Sequence, residues 1–569
     1  MGMLIRFRPI GRMMIIKLLR LLFNRGCNIY SNQRHIITLN WKFMQKRRHS
    51  ILALFIGSLS FLSFVSCRTT DPENSVDGLS GKSSLMVNVL GSAFLEGSGS
   101  EGLETQAIES NERSVMITPS SVIVSSQQPT SISGSTASVG GSGNLTPYAS
   151  GGDPLTTGTS FRVIAYNSSD GSYATHQDYI VGSQPTPMML NLGSTYTIVV
   201  YSYNMTTLPP IGNQTGNLSS ATSLFYTGAK DFMYYSTTYT PTSASGNTLN
   251  ITLRHKLSQI QTVLTSQVGT SQIASVLSAS ITPNFNDGTF SLATGNISGQ
   301  STQASASVAF NNTALPATSA TSSYTLINGN TNGSLGGSFT ANVTIGTTQK
   351  TISVPNSFTI TPGYRTTLNI NLVSCGAYLG AGNTNWKEFA CYNLGANTSY
   401  NPFLPQSQIH GNKYQWGANS TPNFTSQLVD QGISGPIPGW GTQVAADNSW
   451  TDSKGTTDPC PTGYRVPSRA EWNAVVSFNS VTRLGTWTNS ATNYISGIKY
   501  GNGLFLPAAG ERNNSGGDLL NRGSNGYYWA STQDTNPTAF RLTFDNAGNN
   551  GTVAAVNRLY GFPVRCISQ

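Results

Sequence analysis

The sequence predicts a mainly β chain that ends in a separate domain of different composition. Two observations carry this. Between residues 83 and 373, short β-branched or aromatic runs recur between Gly, Pro and Asn clusters, and no stretch of comparable length has the pattern of an amphipathic helix. Of the eight tryptophans, seven lie between Trp386 and Trp529 and none lies between residues 67 and 373, so the last third needs a core of its own.

The N-terminus reads as a targeting segment. Lys46-Arg47-Arg48 precedes an uncharged run, Ile51 to Val65, which ends in Phe64-Val65-Ser66-Cys67. A basic region, an apolar region and small residues before a cysteine fit a bacterial lipoprotein signal, with Cys67 as the lipidated first residue of the mature chain. The run is too short for a membrane-spanning helix, which needs about 20 apolar residues. The rival is an ordinary cleaved signal with an incidental cysteine, since Phe64 stands where lipoprotein signals usually carry leucine. Signal peptides run about 15 to 30 residues, so the expected start is Met44. Residues 1–43 then form an upstream extension and 44–66 the signal peptide.

Removing that leader reverses the charge. The whole chain carries 32 Lys and Arg against 23 Asp and Glu, but eleven of the basic residues and none of the acidic ones lie before residue 67, leaving a net of −2. No basic patch remains to suggest nucleic acid as a partner.

Residues 67–82 have no apolar periodicity and read as a tether. Strands are expected at Phe161–Tyr166, Tyr196–Tyr201, Leu249–Leu253, Phe339–Ile345 and Leu368–Leu372. A glycine turn precedes a strand at both Gly193 and Gly363. Each such unit is read as closing one sandwich-type module, giving modules at 83–247 and 248–373 and a third domain at 374–569.

Cysteine usage agrees with export. Cys375, Cys391, Cys460 and Cys566 are even in number, which in an oxidising compartment predicts two disulfides with three connectivities open. A metal site is disfavoured, because there is no C-x2-C pair and His410 is the one histidine nearby. In the same region Ser468 and Glu471 have capping-box spacing, so a helix should begin after Ser468 and turn Trp472 and Val475 inward. No cofactor motif is present.

Two resemblances follow from these residues. The lipoprotein signal, FRVIAYN with DGSY, LNLGSTYTIVVYSYN and ITLRHKLSQIQTVL together resemble the fimbrillin family of Bacteroidetes surface lipoproteins over residues 83 to 373. The resemblance implies two tandem transthyretin-like β-sandwiches of the kind found in pilus subunits and accessory proteins. In polymerising members, an arginine-specific protease removes the first strand and opens a groove for a strand from another subunit. By position, Arg113 is the matching candidate for cleavage, and other pilus subunits are the implied partners.

The order CPTGYRVPSRAEW, LPAAGER, YYWAST and VRC is similar to the Fibrobacter succinogenes major paralogous domain, itself related to the C-type-lectin-like fold. That implies an α+β head domain. Within it, Cys460 paired with Cys566 would tie the strand before the helix to the terminal strand, and Cys375 with Cys391 would close a local loop. Its related formylglycine-generating enzymes need reactive thiols, whereas these cysteines read as disulfides. A Glu471 and Glu511 carboxylate pair is weakened by the capping role of Glu471. The expectation is therefore no enzyme. Aromatic faces suit saccharide or protein surfaces, and Trp416, Trp440 and Trp450 are the candidate contact residues, the last two in apparent loops. The function expected is a surface adhesin anchored in the outer membrane through Cys67, a pilus tip or accessory subunit that binds a glycan or a surface protein. The alternative is a glycan-binding lipoprotein of a nutrient-capture system.

Overall fold

Strand β4 (Ser160–Asn167) is buried along nearly its whole length, and both its faces are covered. In the computed structural model, which describes residues 81–95, 112–129, 153–225, 231–244, 246–267 and 272–569, β4 lies inside a seven-stranded sheet. Cys67 and the rest of the expected leader and tether up to residue 80 lie outside the described residues. The other strands of this sheet are β1 (Lys82–Ala93), β5 (Tyr173–Ile180), β6 (Met188–Asn191), β7 (Tyr196–Ser202), β9 (Met233–Tyr239) and β10 (Asn247–His255), in the order β5-β4-β7-β9-β10-β1-β6. Side chains of a strand alternate between faces. Phe161, Val163 and Tyr179 accordingly meet Leu85, Met188 and Leu253, so the sheet curls and its two ends share one core. On the opposite face Ile164, Tyr166 and Val199 pack with Tyr203, Phe232 and Phe290. Arg162, 4 % exposed on this sheet, is held by its cross-strand neighbour Asp178 through two bonds of 2.7 Å.

The second module is two facing sheets. One contains β2 (Arg113–Thr118), β3 (Ser121–Pro129), β11 (Ser258–Gln267), β16 (Ser319–Thr321), β17 (Thr325–Ile327) and β20 (Arg365–Ser374). The other contains β12 (Ile273–Phe285), β15 (Gln303–Ser307), β18 (Gly337–Ile345) and β19 (Thr348–Phe358). Ile260, Leu264, Leu368 and Ile370 of the first meet Val276, Ile281, Phe339 and Val343 of the second. A small sheet of β8 (Thr222–Phe225), β13 (Gly288–Ser291) and β14 (Ile297–Ser298) links the two modules.

The five expected strand segments all fall within strands: β4, β7, β10, β18 and β20. Their grouping differs from two consecutive modules. Leu249–Leu253 does not open the second module, because β10 pairs in parallel with β1 and closes the first sheet. The strands of residues 113–129 leave the first module altogether. β3 runs antiparallel to β20 from Thr366↔Pro129 to Ser374↔Ser121, occupying the edge that β11 leaves open. Its alternation explains the choice. Ile123 enters the core of the second module, while Val122 and Val124 face Cys391, Tyr392 and Phe505 of the C-terminal region.

That region combines short strands with two helices, α1 (Gln427–Gly432) and α2 (Arg469–Phe478). The capping box forms as expected: the Glu471 amide donates to Ser468 Oγ at 3.2 Å and the Ser468 amide to Glu471 Oε2 at 2.7 Å. Trp472 and Val475 are fully buried. Disulfides join Cys375 to Cys391 and Cys460 to Cys566. The first closes a hairpin of β21 (Gly376–Gly380) and β22 (Thr384–Glu388), which follows β20 directly.

Candidate functional site

The three tryptophans expected to face a ligand are interior. Trp416, Trp440 and Trp450 are 1, 6 and 1 % exposed. Each indole N–H donates to a backbone carbonyl: Trp416 to Ala530, Trp440 to Leu559 and Trp450 to Thr457. Trp416 and Trp450 pack with ring centroids 5.8 Å apart, and the Arg558 guanidinium lies 4.5 Å from the Trp416 ring centre. Trp440 lies against Gly517 and Gly561, from segments distant in sequence. A buried aromatic residue with its polar edge satisfied is a core residue, so these three cannot form an exposed platform.

The residues that carry the head's sequence motifs are likewise internal fastenings. Trp472 donates to the Trp529 carbonyl and Trp529 to the Tyr414 carbonyl. Arg565 is fully buried and binds Asn393, Ala390, Cys391 and Phe505, clamping the terminal strand to the start of the domain. Asp430, at 0 % exposure, holds Lys413 at 2.6 Å, Arg512 at 2.7 Å and Arg522 at 2.5 Å. Burial alone would raise the Asp430 carboxyl, but the three cations outweigh it and bring it to about 2. Burial pushes Lys413 down to about 8. Burial, with repulsion from Lys413 and Arg522, pushes the neighbouring His410 down to about 3.

Arg113 is the first residue of β2. The bond that follows it is held on both sides. Arg113 pairs with Ser125, and the Ser114 amide donates to the Ser399 carbonyl while its hydroxyl contacts the Tyr392 hydroxyl at 2.6 Å. Glu471 is engaged by Arg465 at 2.6 and 2.9 Å as well as by the helix cap. Glu511 is buried, raised by that burial, and accepts from Asn521. Among the described residues no group of three His, Cys, Asp or Glu side chains is placed to hold a metal ion.

Two cavities among the described residues bear on function. One, of about 310 Å³, is mainly apolar and lies in the second module beside Ile117, Ile345, Lys350 and Ile352. The other is a polar cleft of about 540 Å³ where the second module meets the head, within the 300 to 1,000 Å³ typical of small-molecule sites. The ends of β11 and β20 supply Gln267 and Ser374. The β21–β22 hairpin supplies Tyr378, Asn383 and Trp386, and the segments after α2 and around Gly501 supply Ser480, Lys499 and Asn502.

The hairpin determines how the aromatic pair is presented. Tyr378 and Trp386 are direct cross-strand partners with rings 5.0 Å apart and 68° between their planes. Gly376 and Gly503 let the indole lie close to the backbone, for a Cβ at either position would come within 2.6 Å of its six-membered ring. Both rings stay half-buried. In the sequence, Trp386 stands close to Phe389 and Cys391, a context that resembles core. The available signal was the Gly380-Ala-Gly-Asn-Thr384 turn, which makes Trp386 part of a hairpin rim.

Residues 149–385 match the profile of a family described as fimbrillin-like. No curated protein matches the chain. Among solved structures, a candidate cell adhesion protein from Bacteroides fragilis is 12% identical, with 51% of this chain and 92% of that one covered and a TM-score of 0.27. A candidate cell adhesion protein from Bacteroides uniformis is 13% identical, covering 38% and 92%, with a TM-score of 0.28. A fimbrial assembly protein from Parabacteroides distasonis is 11% identical, covering 41% and 89%, with a TM-score of 0.26. Scores at this level do not establish a shared overall fold.

Proposed function

We propose that the chain is a cell-surface adhesin of the fimbrillin-like type, anchored in the outer membrane through Cys67, whose C-terminal domain takes part in recognising a glycan or a surface protein. The observation that carries the reading is the fimbrillin-like match over residues 149–385, which runs through the second module into the first hairpin of the head. The path of β20 supports a terminal or accessory place in any pilus. A subunit that donates its last strand must release it, but β20 is hydrogen-bonded to β11 on one side and β3 on the other. It then runs without a break into the Cys375–Cys391 loop.

The test is binding of the full-length chain to arrays of immobilised glycans and extracellular matrix proteins. Saturable binding to a defined subset is expected. An absence of binding to both classes would overturn the adhesin reading.

A further inference from the structure

A saccharide site needs an aromatic face for the apolar side of a sugar ring, amide or hydroxyl groups for its hydroxyls, and space for one or two residues. The junctional cleft offers all three. Of the seven tryptophans beyond residue 373, five donate their indole N–H to backbone carbonyls. That of Trp487 is buried beneath Arg483 with no acceptor among the described residues. Trp386 differs: its ring is half-buried at the cleft and its N–H has no acceptor among the described residues. Gln267, Asn383, Ser480 and Asn502 are exposed around it, and their side chains make no hydrogen bonds to described residues.

The charge of the lining narrows the ligand further. Lys499 contributes a cation and no described residue lining the cleft contributes a carboxylate. The Lys499 ammonium lies 5.7 Å from the Phe403 ring and has no carboxylate partner among the described residues. A lining cation with no carboxylate partner among the described residues, in a cleft otherwise lined by neutral amides, hydroxyls and aromatic rings, favours a ring that carries its own negative charge.

We infer that the cleft between the second module and the head is a binding site for an acidic saccharide, with a sugar ring on Trp386, hydroxyls at Asn383, Asn502 and Gln267, and a carboxylate at Lys499. The inference rests on the adhesin reading and gives it a location and a ligand class. Because Gln267 and Ser374 come from the second module, the head supplies part of the site and the sandwich completes it.

The test uses the full-length chain and a panel of uronate- and sialate-terminated oligosaccharides, each with its neutral counterpart, titrated by calorimetry. At least one acidic member should bind, and about tenfold more tightly than its neutral counterpart. Lys499→Gln should erase that preference while sparing binding of the neutral counterpart. Asn502→Ala, an exposed change, should weaken both by severalfold, and Trp386→Phe should do so while keeping an aromatic ring on the glycines. If Trp386→Phe lowers stability, Lys499→Gln and Asn502→Ala still decide the matter. Failure of every acidic member to bind overturns the inference. So does acidic-glycan binding that all three substitutions leave unchanged, although the adhesin reading would then survive. Loss of the adhesin reading itself requires the separate failure on glycan and matrix arrays.

Discussion

His410 is the residue whose ionisation most constrains the head. It is 1 % exposed, its Nδ1 has no partner among the described residues, and its ring stands near Lys413 and Arg522. Its folded pKa of about 3 lies below the unfolded value of roughly 6.5, so protonation favours the unfolded chain. The stability associated with a neutral His410 is complete above pH 6.5 and is lost as pH falls toward 3. Between pH 7 and pH 4.5 this amounts to about 2–3 kcal/mol. Chemical denaturation across that range should show the decline, and His410→Gln should flatten it. An unchanged slope would mean that His410 is not the group responsible. Trp450→Ala should cost about 3–5 kcal/mol, as expected for removing a buried tryptophan, with a matching fall in thermal midpoint. Its burial was not legible in the sequence. Loops run mostly over surfaces, and the Gly- and Pro-rich context of Trp440 and the polar context of Trp450 look like loop. Their cover comes from Gly517, Gly561 and Trp416, whose proximity is tertiary.

Elements specified by local chemistry were legible, and elements specified by distant pairing were not. The helix after Ser468 was readable because its cap, Glu471 and inward Trp472 lie within one turn. Ser468→Ala should cost about 1 kcal/mol, measurable by denaturant unfolding. The strand at β3 was readable in principle from Val122-Ile-Val124, but its partner β20 lies more than 230 residues later, and nothing local names it. The hairpin of Trp386 falls between these cases: its turn is local, whereas the cleft it borders needs Gln267 and Lys499 from elsewhere. The position of β2 also bears on processing at Arg113. Proteases bind extended, accessible chain, and this bond is fastened to both β3 and the Ser399 loop. Brief treatment of the native chain with an arginine-specific protease should leave Arg113–Ser114 intact. Rapid cutting there, before global unfolding, would show that β2 opens on its own.

At the scale of the molecule, the modules interlock. β3 completes the second sandwich from a segment that precedes most of the first, and the same strand presents Val122 and Val124 to the head. A fragment beginning at residue 248, where the sequence places a module boundary, would leave the β20 edge unpaired along its length and the position of Ile123 empty. Such a fragment should lack a cooperative thermal transition in circular dichroism, and a sharp transition would contradict the interlocked arrangement. This architecture also separates scaffold from recognition: the aromatic interior of the head holds the domain together, and the Trp386 cleft at its junction meets the ligand. The most direct test compares Trp386→Phe and Trp440→Phe in the full-length chain, measuring acidic-oligosaccharide affinity and thermal midpoint for each. Trp386→Phe should lose affinity with little change in midpoint, while Trp440→Phe should lower the midpoint and retain affinity. The reverse pattern would contradict it.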